Sequence, residues 1–183
     1  MKSICCLFVS TVCLLAPSLL TADDQPAPAL LVNKGRVQLN LAGADVILAA
    51  AKVQATAMGL KMNLAVVDDG GHLLAFARMD GARPASAHTA LTKATTAATF
   101  RQETGPLPLK GEPDVLLNLS LQNAAQASGG KITTLKGGVP IIVDGQVIGA
   151  VGVGGGSGEQ DAEVAKAGIQ ALLDALNPPK PKS

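Results

Sequence analysis

The sequence is poor in aromatic residues and in cysteine. It contains no tryptophan, no tyrosine and three phenylalanines in 183 residues, so it has few planar side chains on which nucleobases or sugars could stack. All three cysteines, Cys5, Cys6 and Cys13, lie close to the N-terminus. If this segment is removed, the remaining chain has no thiol, which excludes disulfides, thiolate metal sites and cysteine nucleophiles.

The N-terminal residues have the pattern of a secretory signal peptide. Lys2 supplies a positive charge, residues 4–20 are almost continuously apolar, and Ala22 is a small residue suited to cleavage. The alternative is a retained membrane anchor, for which this apolar run, interrupted by Pro17, is short. We therefore expect residues 1–22 to be cleaved, and the mature protein to be periplasmic or secreted and not bound to a membrane.

An excess of charge of one sign is also missing. The chain has 15 basic and 14 acidic residues, and cleavage after residue 22 removes one lysine, so that the two signs balance. Without a basic cluster the mature protein has no electrostatic attraction for nucleic acid or anionic lipid. We expect no nucleic-acid partner. The two histidines exclude a multi-histidine metal site within one subunit.

Apolar periodicity and turn residues predict one α+β domain over residues 39–177, between a flexible leader (23–38) and a short tail (178–183). Helices are predicted at 41–58, 85–102, 114–126 and 159–176, and strands at 62–67, 72–78, 139–143 and 146–153, with an optional brief strand at 132–135. The strands form two hairpins, which makes the sheet antiparallel.

Local signals support these boundaries. Asn40 is suited to cap the first helix, and Ser157 with Gln160 has the spacing of a capping box for the last helix. The runs 68–71 (Asp-Asp-Gly-Gly) and 144–145 (Asp-Gly) are turn sequences that join adjacent strands.

The second predicted helix contains the residues best suited to ligand chemistry. At 100° per residue, His88, Thr92, Thr95 and Thr99 fall on one stripe. Such a stripe lines a polar cavity or faces water, and the sequence leaves both alternatives open. His72, which follows the first turn, is the other imidazole.

The glycine-rich segment before the last helix resembles a dinucleotide-binding loop only superficially. Gly152 and Gly154 have the first spacing of G-x-G-x-x-G, but Ser157 stands at the third glycine position. A flexible connection is the simplest interpretation. The alternative is that backbone N–H groups of Gly155, Gly156 and Ser157 bind a ligand carboxylate.

Six short segments form a recognisable set: 66–73 (VVDDGGHL), 76–82 (FARMDGA), 93–97 (KATTA), 137–141 (GGVPI), 144–153 (DGQVIGAVGV) and 160–161 (QD). Together they resemble the GlcG/HbpS-like family (DUF336) of haem-binding and haem-degrading proteins. Their order is kept from about residue 39 to residue 176.

The resemblance implies a profilin-like fold, with an antiparallel sheet packed against helices, and a homo-oligomer. It implies haem as the cofactor, with haem breakdown and iron release in secreted members, and it does not single out one axial ligand. The candidate haem-binding residues are His88, His72, Thr92, Thr95, Met79, Arg78 and Lys93. Two alternatives remain: a non-catalytic binder or sensor of organic acids, and an accessory oligomer.

Overall fold

The computed structural model describes residues 35–178. The predicted signal peptide and most of the predicted leader and tail lie outside them. The helices and strands are α1 (Leu41–Ala57), β1 (Asn63–Asp68), β2 (Leu73–Arg78), α2 (Ser86–Phe100), α3 (Val115–Ala127), β3 (Gly138–Val143), β4 (Gln146–Gly154) and α4 (Gly158–Leu176). This order is the predicted one. None of the helices in residues 35–178 has the length and apolar content needed to cross a bilayer.

The four strands form one antiparallel sheet in the order β2-β1-β4-β3. Helices α1 and α4 pack together against one face, and α2 packs against the other. The two hairpins meet through β1 and β4, where Asn63 pairs with Gly154. The predicted α+β class, with an antiparallel sheet packed against helices, is confirmed.

The main hydrophobic core lies between the sheet and the α1–α4 layer. Its largest fully buried side chains are Ile47, Met62, Leu64, Ile141, Val66, Val151, Val153 and Val164. Helix α4 approaches α1 closely, because an added Cβ at Gly168 would lie 2.8 Å from the carbonyl oxygen of Ile47. Isoleucine, leucine, valine and methionine side chains thus form this core without any aromatic residue.

The opposite face of the sheet is built from small residues. The alanines of α2, which include Ala90 and Ala94, pack on Ala65 and Ala150. An added Cβ at Gly152 would overlap the carbonyl oxygen of Ala90. Helix α2 therefore rests almost directly on the strand backbone, which explains why it consists mainly of alanine and threonine.

The predicted caps and turns are present. The Asn40 side chain accepts a hydrogen bond from the Gly43 N–H (2.9 Å), and Ser157 and Gln160 form the predicted capping box. Asp144 and Gly145 both have positive φ (50° and 72°), as a two-residue type I′ hairpin requires. These local sequence signals determine where the elements begin and end.

The optional strand at 132–135 does not form. Side-chain hydroxyls bond to the backbone of this segment: the Thr133 N–H donates to Thr96 Oγ1 (3.0 Å), and Thr104 Oγ1 donates to the Leu135 carbonyl (2.7 Å). Because these hydroxyls satisfy its polar groups, the segment packs as an irregular loop beside α2.

Helix α3 differs from the other helices, because none of its residues is buried. Asp114 caps its first turn, and Asn118 bonds to the backbone of Leu107 on both its oxygen (3.0 Å) and its nitrogen (2.7 Å). Four of its apolar side chains face solvent, namely Val115, Leu116, Leu117 and Leu119, and Leu116 is 76% exposed.

Candidate functional site

A cleft of about 650 Å³ opens where the start of α2, the segment before β3 and the start of α4 meet. This volume is typical of small-molecule sites. Its polar lining consists of Arg83, Ser86, Thr89, Lys93, Thr134, Lys136, Glu159 and Asp161, with the backbone of Gly155, Gly156 and Gly158. Ala85, Pro106 and Leu135 supply apolar wall.

The floor of the cleft is a buried ion pair. Lys93 Nζ lies 2.6 Å from Asp161 Oδ2 and also donates to the Val153 carbonyl (2.9 Å), while Asp161 Oδ1 accepts from the Gly156 N–H (2.9 Å). The two side chains are only 6% and 3% exposed. Buried charges are tolerated when they are paired and hydrogen-bonded, as here. An added Cβ at Gly137 would lie 2.5 Å from Asp161 Cβ, so glycine is needed beside the pair.

Arg83 is held at the rim by two hydrogen bonds. Its Nε donates to Ser86 Oγ (2.9 Å), and its carbonyl accepts from the Asn63 side-chain nitrogen (3.0 Å). Asn63 is fully buried, and its Oδ1 has no hydrogen-bond partner among residues 35–178. The loop before α2 thus positions the Arg83 guanidinium beside the cleft.

A second ion pair crosses the rim, where Lys136 Nζ lies 3.1 Å from Glu159 Oε1. The hydrogen bond from Lys136 lowers the pKa of Glu159 most, followed by a hydrogen bond to its own backbone and by the charge of Lys136. Glu159 is therefore a carboxylate at neutral pH, and it forms an ion pair with Lys136.

Two of the three backbone N–H groups considered for a ligand carboxylate, those of Gly156 and Ser157, already have partners. The Gly156 N–H donates to Asp161, and the Ser157 N–H donates to Gln160 Oε1 (2.9 Å). The Ser157 hydroxyl accepts from the Gln160 N–H (3.3 Å). Gly155 and Gly156 line the cleft, whereas Ser157 serves as the cap of α4.

The histidine–threonine stripe of α2 lies outside the cleft. The stripe is roughly 120° around the helix from Ser86, Thr89 and Lys93. His88 is exposed. The Thr92 hydroxyl donates to the His88 carbonyl (2.7 Å), and the Thr95 hydroxyl donates to the Gly71 carbonyl (3.1 Å), which fixes α2 beside the β1–β2 turn.

This stripe borders an open part of the sheet. Helix α2 packs over β4, β1 and β3 but hardly touches the edge strand β2. Because residues paired across antiparallel strands share a face, the pairs Leu73–Val67, Phe76–Ala65 and Arg78–Asn63 put three β2 residues on the α2 side.

We call this surface the α2–β2 face and define it by Leu73, Phe76, Arg78, His88 and Leu91. Leu73 and Phe76 are 51% and 39% exposed, and Leu91 packs partly against the alanine layer under α2. The face thus combines an imidazole, a cation and exposed apolar side chains. The sequence analysis did not single out Leu73, Phe76 or Leu91, because only the strand order shows that β2 is an uncovered edge.

Two other candidates lie elsewhere. Met79 packs against the main core, and its sulfur accepts from the Met62 N–H (3.4 Å). The His72 side chain is 83% exposed at the β1–β2 turn, with Nδ1 3.3 Å from Asp68 Oδ1. Neither residue lines the cleft. Within residues 35–178, no cluster of three histidine, cysteine or acidic side chains could hold a metal ion.

Comparisons with known proteins agree with the motif resemblance. The family model "Haem degrading protein HbpS-like" matches residues 39–170. Protein GlcG of Escherichia coli (strain K12) is 44% identical over 120 residues, covering 66% of this chain and 84% of that protein.

Solved structures show the same fold. The protein ORFY of Klebsiella pneumoniae superposes with a TM-score of 0.66 at 31% identity, covering 79% of this chain and 98% of that one. A PduOC–haem complex superposes with a TM-score of 0.60 at 26% identity, covering 74% and 95%. The chain therefore belongs to the HbpS-like (DUF336) family.

Proposed function

We propose that this protein binds haem on the α2–β2 face, with His88 as the iron ligand. The observation that carries the proposal is an exposed imidazole on the side of α2 that borders β2, a strand with exposed apolar side chains, in a family with a solved relative bound to haem. Histidine is a common protein ligand of haem iron. Leu73 and Phe76 offer apolar area against which the flat ring can be shielded from water.

The charge on this face also suits haem. Arg78 lies at the end of β2 on the α2 side and is exposed, so its guanidinium can pair with a propionate carboxylate. The hydroxyls of Thr92 and Thr95 are bonded to backbone carbonyls. These threonines therefore border the face, and the His88 imidazole is the side chain proposed to bind the iron.

The cleft fits haem less well. Its lining contains no histidine, methionine, cysteine or tyrosine, which are the usual protein ligands of haem iron. Its buried amine, Lys93, is bonded to Asp161 at 2.6 Å. An iron ligand from this lysine would leave the Asp161 carboxylate buried without its partner.

We extend the proposal to haem degradation and iron release. Bound haem supplies the iron-centred chemistry with oxygen or peroxide, and the chain supplies the ligand, the apolar surface and the cation. The open position of the α2–β2 face supports this extension, because one side of a ring bound there stays accessible to an oxidant.

We also propose that the protein works outside the cytoplasm as a homo-oligomer. The signal-peptide pattern of residues 1–22 supports the location. Helix α3 supports the oligomer, because Val115, Leu116 and Leu119 are more than half exposed, and apolar patches of this kind mark contact surfaces.

Hemin titration of the purified protein tests the function. We expect a saturable shift of the Soret band and, with added peroxide or reductant and oxygen, faster loss of the band than for free hemin. An unsaturable spectrum would refute haem binding. A saturable shift with haem loss at the rate of free hemin would refute degradation alone.

A further inference from the structure

We propose that the cleft above the Lys93–Asp161 pair is a second ligand site, which binds a small monocarboxylate through Arg83. The ligand's hydroxyl substituent lies over the buried pair. This site is separate from the α2–β2 face, because the cleft-lining side chains of α2 point roughly 120° away from the His88 stripe.

Arg83 has the geometry of a carboxylate receptor. Its Nε donates to Ser86 Oγ (2.9 Å), and Ser86 is itself buried. This bond fixes the plane of the guanidinium and leaves its two terminal amino groups, which form the fork that binds a carboxylate with two hydrogen bonds.

Asn63 holds Arg83 in place from behind the cleft. It is fully buried, its side-chain nitrogen holds the Arg83 carbonyl (3.0 Å), and its Oδ1 has no partner in the described part of the chain. The buried amide therefore fixes the backbone of Arg83 beside the cleft.

The floor supplies polar contacts for a substituent. Lys93 Nζ has three N–H groups, of which the bonds to Asp161 and Val153 use two. Lys93, Asp161 and Thr89 all line the cleft. A ligand hydroxyl can accept from Lys93 and donate to the carboxylate of Asp161, whereas an alkyl group would leave both without a new partner.

The charge balance favours a monoanion. Within residues 35–178, Lys93 pairs with Asp161 and Lys136 pairs with Glu159, whereas Arg83 bonds to a neutral hydroxyl. The cleft therefore carries one cation in excess. A phosphate dianion would be repelled by the carboxylates of Asp161 and Glu159, and the single excess positive charge would balance only half of its own charge.

Calorimetric titration of the purified full-length protein tests the site with lactate, propionate, propionamide and inorganic phosphate as probes. We expect lactate to bind more tightly than propionate, and propionamide to produce no saturable heat. Arg83→Gln should weaken lactate binding about tenfold or more, since two charge-assisted hydrogen bonds are lost. The matched control Arg101→Gln alters an exposed arginine outside the cleft and should bind lactate as the wild type does.

Several results would contradict the proposed carboxylate site. Absence of heat with every carboxylate, or unchanged lactate binding in Arg83→Gln, would overturn the site. Phosphate binding more tightly than lactate would overturn the assignment to a monocarboxylate, and equal affinity for lactate and propionate would overturn the role of the floor. Arg83→Gln should leave the hemin titration unchanged, so failure here is distinguishable from failure of the haem proposal.

Discussion

At the scale of single residues, the glycines of β3 and β4 determine how closely α2 approaches the sheet. An added Cβ at Gly152 would overlap the backbone of Ala90 and Ala94, which cannot move aside as a flexible side chain can. We expect Gly152→Ala to lower the free energy of unfolding by about 1–3 kcal/mol, the range found for overpacked cores.

Gly105→Ala is the matched control. Its added Cβ would lie 3.4 Å from the side chain of Leu109, an ordinary contact. Chemical denaturation of both variants measures the difference. Equal stability of Gly152→Ala and the wild type would show that α2 does not rest on the backbone of β4 as described.

The Lys93–Asp161 pair makes a second prediction at this scale. Asp161→Ala leaves a buried ammonium without its carboxylate, and we expect a loss of about 3–5 kcal/mol. The double variant Lys93→Met with Asp161→Ala removes both charges and should recover part of that loss. A double-mutant cycle by urea denaturation measures the coupling, and additive losses would contradict a direct ion pair.

At the scale of elements, α3 is the helix that tests the proposed assembly. It has no buried residue, and its apolar side chains, led by Leu116, face solvent. We expect Leu116→Asp to shift light scattering toward smaller species and to change the free energy of subunit unfolding by less than about 0.5 kcal/mol. Asn123→Asp adds the same charge at an exposed polar position of α3. It should leave the assembly intact, and a monomeric wild type would contradict the proposal.

The elements were predictable because their signals are local. Asn40, Ser157 and the Asp144–Gly145 turn act over a few residues, and each cap or turn is present. The segment 132–135 was not predictable, because its partners Thr96 and Thr104 are distant in sequence. Its backbone hydrogen bonds are with those side chains, which periodicity does not reveal.

At the scale of the whole molecule, the candidate sites depend on the strand order. Lys93 and Asp161 are 68 positions apart, and only the packing of α2 and α4 around the sheet brings them together. In the sequence, Phe76 has the pattern of an ordinary strand residue. Its exposure is explained only by the fold, in which β2 is an edge strand that α2 does not cover. The sequence identified Lys93, His88 and the glycines as candidates, while the fold assigns the histidine and the lysine to different surfaces.

The most direct test of haem binding on the α2–β2 face is a hemin titration of His88→Ala beside His72→Ala. Both histidines are exposed, so neither substitution should disturb the core. We expect His88→Ala to lose the Soret shift of the wild type or to weaken hemin binding at least about tenfold, whereas His72→Ala keeps it. Equal hemin affinity and equal spectra in the two variants would contradict His88 as the iron ligand.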